Sequence, residues 1–260
     1  MHIQFSKYQG TGNDFIMLNN LNGEYNELSI KQIQFLCDRK FGVGADGLIK
    51  LNSCASASFE VEYFNADGTK SFCGNGARCS VRFAEQIGFT QTKLSFMAID
   101  GLHSAVNHGD LIALDMMEVE KIEEIKTNEF VLNTGSPHYI KYVTNSLETN
   151  VVESGRKIRY SPQFKEEGIN VNFVESYNPN EIEVCTYERG VEDETLSCGT
   201  GVVAAAIAQA HKENLNGKQL ILIHTKGGKL QVEFIRESNN FREIKLIGPA
   251  KHVFDGRINL

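Results

Sequence analysis

The sequence predicts a mixed α/β (α+β) protein of two pseudo-symmetric domains, each mostly sheet with few helices. Three observations carry this expectation. A set of anchors repeats about 125 residues apart, short alternating runs are separated by turn residues, and one helical stretch is apolar nearly all round.

The anchors come first. Gly12, in GTGNDF, corresponds to Gly135 in NTGSPHYI at an offset of 123, and Gly44, in GADGLIKL, to Gly168 in GINVNFVE at 124. Cys73, in CGNG, corresponds to Cys198 in CGTG at 125, and Gly101, in LSFMAIDGLHSAV, to Gly227 in LILIHTKGGKLQV at 126. Four anchors in one order, each drifting by a single residue, imply duplication of a domain-sized unit. The halves expected are 1–117, carrying Cys73 and completed by the tail 249–260 as a returning strand, and 118–248, carrying Cys198.

Alternation marks strands at Phe59 to Phe64, Leu94 to Ala98, Leu111 to Asp115, Ile182 to Tyr187, Leu220 to His224, Leu230 to Phe234 and Glu243 to Ile247. Helices are expected near Ile30 to Cys37, Ala77 to Ile87 and Val202 to Lys212. The segment VVAAAIAQA, apolar on every side, fits a helix wrapped by sheet. Its counterpart in the first half carries Arg78, Arg82 and Glu85, which must be paired or less enclosed. The acidic, aperiodic stretch from Met116 to Glu124 reads as a crossover between halves.

Composition narrows the function classes. The 260 residues are 41% hydrophobic and 23% charged, with a formal net charge of -7. No Lys/Arg cluster interleaves with aromatics, so neither nucleic acid nor an anionic membrane is an expected partner. The opening MHIQFSKYQG lacks the apolar run of a signal peptide, and no apolar run approaches the roughly 20 residues of a membrane span. These features lead to the expectation of a soluble cytoplasmic protein.

The six cysteines divide into two groups. Cys37, Cys54, Cys79 and Cys185 show no paired Cys-x-x-Cys spacing, so no metal site is expected, and they read as small buried or half-buried residues. Cys73 and Cys198 each stand between a turn and the start of a helix. There, N–H groups without intrahelical acceptors and the positive end of the helix dipole favour a thiolate, and the flanking glycines let backbone approach an anion. Two matched thiols suggest delivery of both to one site.

The segments FSKYQGTGNDFIML, CDRKFGVGADGLIKL, YFNADGTKSFCGNGARC, GINVNFVE and ERGVEDETLSCGTG resemble, in order and over nearly the whole chain, the diaminopimelate epimerase family of lysine and peptidoglycan biosynthesis. The resemblance implies two domains, each a mostly antiparallel sheet rolled around a central helix, with the active site in the interdomain cleft. It implies cofactor-independent interconversion of L,L- and meso-diaminopimelate by a thiolate and a thiol, with Cys73 the base toward the L,L isomer. No cofactor is expected, and the homodimer common in the family is the implied assembly. Gly74, Asn75, Gly199 and Thr200 would offer N–H groups to the carboxylate beside the reacting carbon. Asn65, Asn170 and Arg189 match binders of the distal carboxylate, and Glu188 with Asn65 those of the distal ammonium. Asn13 and His138 match positions lining the site, with His138 and Glu188 tuning a thiol.

The chain departs from the pattern at three places. Ser136 stands where Asn is usual, Gly47 where some members carry Gln, and one extra residue lengthens GVEDETLSCG, outside the expected contacts. Two other readings compete. A proline racemase or hydroxyproline epimerase uses the same two-cysteine logic, but typically has His at the position of Asn75 and lacks the distal-carboxylate residues. A non-catalytic metal or redox module would need ligand spacings this chain lacks.

Overall fold

The structure is a computed structural model describing residues 1–260. In chain order the elements are β1 (His2–Gly10), β2 (Asn13–Asn20), α1 (Ile30–Cys37), β3 (Gly47–Asn52), β4 (Phe59–Asn65), α2 (Gly74–Gln86), β5 (Lys93–Ala98), β6 (Gly101–His108) and β7 (Leu111–Asp115). Then follow β8 (Ile122–Lys126), β9 (Glu129–Asn133), β10 (Pro137–Tyr142), α3 (Val151–Arg159), β11 (Asn170–Asn178), β12 (Glu181–Glu188) and β13 (Asp193–Thr195). The chain closes with α4 (Gly199–Lys212), β14 (Gly217–Thr225), β15 (Gly228–Glu237), β16 (Asn240–Pro249) and β17 (Lys251–Asn259). Met1–Leu114 with Gly248–Leu260 form one compact unit, and Asp115–Ile247 a second.

The two units share one topology. In the first, β17, β1 and β2 are antiparallel in succession, and β2 runs parallel to β3. The path continues with β3 antiparallel to β4, β4 parallel to β5, and β5, β6 and β7 as antiparallel hairpins. In the second unit β8, β9 and β10 are antiparallel, β10 is parallel to β11, and β11 is antiparallel to β12. A parallel step from β12 to β14 then leads into the antiparallel β14, β15 and β16. Helices α1 and α3 precede the fourth strand of this pattern, and α2 and α4 follow the fifth.

The glycine anchors repeat as backbone geometry. Gly12 and Gly135 have φ of 87° and 102°, and Gly44 and Gly168 have 80° and 74°, a left-handed region that favours residues without a β-carbon. The fourth pair requires a correction: the counterpart of Gly101 (φ 131°) is Gly228 (φ 135°), not Gly227, because each opens the return strand of a hairpin.

Every strand the alternation marks is present. Helices α2 and α4 begin three residues earlier than expected, because their first turns, GNG and GTG, carry no apolar periodicity. Helix α3 was not expected. It is only nine residues long, mostly polar and interrupted by Gly155, and it buries only Val151 and Gly155. Between Met116 and Glu124 the chain bridges Val119 to Phe241 and then enters β8.

Burial follows composition. Helix α4 is enclosed from Val202 to Ala210 in a core with Phe130, Phe234, Phe241 and Leu246, and its alanines let the sheet approach closely. Helix α1 is started by Ser29, which exchanges hydrogen bonds with Gln32 in a capping box, and buries Ile33, Leu36 and Cys37. The charges of α2 are handled separately: Arg82 pairs with Glu85 at 2.6 Å, whereas Arg78 is fully buried.

Candidate active site

Each central helix opens on one of the two cysteines. Cys73 is the N-cap of α2 (φ −134°, ψ 115°) and Cys198 the N-cap of α4 (φ −111°, ψ 113°), and neither sulfur caps its own helix. The first intrahelical bonds are Ala77 N–H to Cys73 O at 2.8 Å and Val202 N–H to Cys198 O at 3.0 Å. The N–H groups of residues 74–76 and 199–201 therefore precede the helical ladder, at the positive end of each dipole. Cys73 is half-buried and Cys198 is 6% exposed.

In the first unit, Asn13 sits beside Cys73. Its Nδ2 donates to Asp46 Oδ2 at 2.6 Å, which turns Oδ1 toward the Cys73 thiol (3.4 Å) and Asn75 Nδ2 (3.5 Å). Arg39 fixes this arrangement by bonding Asp46 at 2.8 Å and Asp14 at 2.7 Å. Asn65, at the end of β4, donates to Thr69 and Ser71. At Gly47, paired with Asn65, a β-carbon would lie 2.4 Å from the Tyr63 ring and 2.5 Å from Phe64 O. Glycine there follows from close packing.

The second unit builds a chain of polar contacts to Cys198. Asn172 Oδ1 accepts from Thr186 Oγ1 at 2.9 Å, so its Nδ2 faces Tyr139 O (3.2 Å) and His138 Nδ1 (3.1 Å). An imidazole whose Nδ1 accepts carries its proton on Nε2, which lies 2.9 Å from Thr200 Oγ1. Thr200 therefore accepts from His138, and its own proton is available to Cys198 Sγ, 3.6 Å away. His138 is fully buried, and burial, with the Arg189 charge adding to it, pushes its proton affinity down to about 3. It stays neutral at neutral pH.

A second cluster brings Asn170, Arg189 and Ser136 together. Asn170 Nδ2 donates to Ser136 Oγ at 2.9 Å, Asn170 Oδ1 accepts from Arg189 N–H at 2.8 Å, and Arg189 Nη2 reaches Ser136 Oγ at 3.3 Å. Asn170 is buried, whereas Arg189 is exposed and also donates to Glu167 O. Glu188 ends β12, half-buried and paired in register with Asp193. In the lengthened turn before Cys198, Glu192 takes φ 59° and accepts from the Tyr187 and Tyr160 hydroxyls.

The remaining cysteines lie apart from this chemistry. Burial pushes the Cys37 and Cys79 thiols up to about 12 and Cys185 to about 11, and Cys54 is half-buried beside Ser56. No group of three or more His, Cys, Asp or Glu side chains is placed to hold a metal ion, and no helix is long and apolar enough to cross a membrane. Sequence reasoning missed Asn172, Thr186 and Arg78. Asn172 had a signal, since residues two apart on a strand share a face and Asn170 was already a candidate.

The family described as diaminopimelate epimerase matches this chain over residues 5–121 and 130–253. A diaminopimelate epimerase from Flavobacterium psychrophilum is 48% identical over 254 residues, covering 97% of this chain and 98% of the relative. One from Chlorobaculum tepidum is 38% identical over 259 residues, covering 96% and 99%. Among solved structures, a Bacillus anthracis phenazine biosynthesis protein of the PhzF family aligns with a TM-score of 0.78 at 13% identity over the whole of both chains. A hydroxyproline epimerase from Agrobacterium vitis aligns at 0.73 and 14%, covering 100% of this chain and 93% of that one. At such identities the likeness is one of fold.

Proposed function

Because the chain belongs to the diaminopimelate epimerase family, we propose that Cys73 and Cys198 are the two acid–base groups of its reaction, the epimerisation of diaminopimelate. The observation that carries this reading is their equivalence: each is the N-cap of the central helix of one of two units of the same topology.

Inverting an amino-acid α-carbon without an electron sink means taking a weakly acidic proton from one face and delivering another to the opposite face. Toward the L,L isomer, the Cys73 thiolate takes the proton and becomes a thiol, while the Cys198 thiol gives its proton to the carbanion and becomes a thiolate; the meso isomer runs the exchange in reverse. Charge developing on the adjacent carboxylate is met by N–H groups of Gly74, Asn75, Gly199 and Thr200. Asn13 orients Cys73, and the His138–Thr200 pair offers a proton to the Cys198 sulfur.

Arg189, Asn65 and Asn170 bind the distal carboxylate, and Glu188 with Asn65 the distal ammonium. Arg189 suits that task because a guanidinium binds a carboxylate through two parallel hydrogen bonds. A role in lysine biosynthesis follows from the activity, and the cytoplasmic location and homodimer that the family resemblance implies are part of the proposal. Purified protein given L,L-diaminopimelate and no cofactor tests the reading. Formation of the meso isomer, lost in Cys73→Ala and in Cys198→Ala while both stay folded, supports it. Full activity in either variant removes that cysteine from the mechanism.

A further inference from the structure

We propose that Glu192 is a positioning residue for substrate specificity, its carboxylate tying helix α3 to the turn that carries Arg189 and so fixing where that guanidinium meets the distal carboxylate. The inference rests on the reading of Arg189 as the binder of that carboxylate. The turn, Arg189-Gly190-Val191-Glu192, joins β12 to β13 and lies in the stretch that one extra residue lengthens. Gly190 has φ 93° and Glu192 φ 59°, and Glu192 N–H bonds Glu188 O at 2.8 Å. A residue with a β-carbon holds a left-handed conformation only where its surroundings over-determine it.

Here the surroundings are donors gathered on one carboxylate. Oε2 accepts from the Tyr187 hydroxyl of β12 at 2.9 Å and from the hydroxyl of Tyr160, the C-cap of α3, at 3.1 Å. Oε1 accepts from Gly190 N–H at 3.2 Å and forms an ion pair with Arg159, whose Nε lies 3.4 Å away on the last turn of α3. Burial raises the carboxyl, but these donors lower it by more, so Glu192 stays ionised below the ordinary carboxylate range. Gly155 lets α3 lie close enough to β12 for this meeting, because a β-carbon there would be 2.4 Å from Tyr187 Cβ.

Arg159 and Arg189 hold one segment from two sides. Arg159 Nη1 donates to Phe164 O at 3.4 Å and Lys165 O at 3.2 Å, and Arg189 Nη1 donates to Glu167 O at 2.9 Å. Between them stands Gly168, where a β-carbon would lie 2.6 Å from Arg189 Cδ and 2.8 Å from Arg159 Cζ. Two cations on one glycine repel, and Glu192 gives one of them its anion. Arg189 is exposed, so binding through it costs side-chain freedom unless its stem is held beforehand. Removing the Glu192 carboxylate loosens α3, the segment 164–168 and the Arg189 turn together, which weakens recognition of the distal end of the substrate.

Steady-state epimerisation of diaminopimelate by the parent, Glu192→Gln, Arg189→Met and the double variant tests this. Gln is a poor substitute, because both carboxylate oxygens accept and its NH2 would face donors on one side. Glu192→Gln should raise KM about tenfold and keep kcat within about threefold of the parent. In the Arg189→Met background the same change should alter kcat/KM by less than about twofold, since Glu192 acts through Arg189. A carboxylate that served only stability would lower Tm and the active fraction, leave KM unchanged and act alike in both backgrounds. An unchanged KM, or an equal loss with and without Arg189, overturns the proposal. Should Glu192→Gln not fold, Glu192→Gly takes this backbone without strain and should show the same rise in KM, and its absence overturns the proposal as well. Failure of the underlying reading would appear separately, as parental kcat/KM in Arg189→Met alone.

Discussion

His138 Nε2 lies 2.9 Å from Thr200 Oγ1, and this one contact ties a fully buried imidazole to the hydroxyl that faces Cys198. Because Asn172 occupies the other ring nitrogen as a donor, the imidazole can only donate to Thr200. The hydroxyl is thereby oriented toward the sulfur.

The neutral state of His138 makes stability depend on pH. Its folded-state proton affinity, lowered to about 3 by burial and then by Arg189, lies below the unfolded value near 6.5, so the unfolded chain binds the extra proton between those limits. The contribution is fully present above about pH 6.5 and is lost as pH falls toward 3, at up to about 1.4 kcal/mol per pH unit. Urea unfolding at pH 7 and pH 5 should show the parent losing up to about 2 kcal/mol more than His138→Gln. Equal losses would place a charged imidazole in the fold.

Thr200→Val removes the hydroxyl but keeps the shape. A hydrogen bond to a charged group is worth about 1.5 to 3 kcal/mol, which corresponds to a fall in kcat of about tenfold to a hundredfold. Thr200→Ser should recover most of it. If Thr200→Val retains parental kcat, the hydroxyl does not act on Cys198.

The equivalent glycines Gly76 and Gly201 should respond differently to Ala. At Gly201 a β-carbon would lie 2.4 Å from Asn172 Oδ1, which is held by Thr186, and 3.3 Å from Cys198 Sγ. At Gly76 the nearest atom is the flexible Ile49 Cδ1, at 3.0 Å. Gly201→Ala should therefore lower kcat by more than about tenfold, and Gly76→Ala should cost about 1 kcal/mol or less of stability with most activity kept. Equal activities in the two variants would contradict the placement of Asn172 against Gly201.

Substrate choice tests Arg189. Lysine keeps the distal ammonium of diaminopimelate and lacks its distal carboxylate. Arg189 is exposed rather than buried, so losing its partner forfeits a charge-assisted bond more than it strands a buried charge. A loss of about tenfold or more in kcat/KM for lysine relative to diaminopimelate is expected, and Arg189→Met should narrow the gap by crippling diaminopimelate turnover. Comparable kcat/KM for the two substrates in the parent would remove Arg189 from substrate recognition.

The duplication was legible because turns and helix starts demand particular residues: Gly12 and Gly135, and Gly44 and Gly168, sit in left-handed backbone that glycine adopts without strain. Strands showed in period-two alternation, and α4 in its unbroken apolar run. Helix α3 stayed hidden because it is short, charged and carries Gly155, although its partner α1 implied it through the repeat. The tail 249–260 was expected as a returning strand, but which strand it joins had no local pattern, because β1 and β17 pair residues more than 240 positions apart. At the candidate site the cysteines announced themselves through CGNG and CGTG, whereas Asn172 was missed although its spacing from Asn170 puts the two on one strand face. Arg78 was expected to be paired or less enclosed, and nothing in a linear pattern marks a guanidinium that the fold buries without a carboxylate.

Epimerisation of protiated L,L-diaminopimelate in deuterated water, stopped early and analysed for label in both product and recovered substrate, tests the two-thiol mechanism most directly. Two separate groups acting on opposite faces should give product that carries deuterium at the inverted carbon while recovered substrate stays unlabelled. Equal, rapid labelling of substrate and product would show one exchanging base working on both faces, and would contradict the division of the reaction between Cys73 and Cys198.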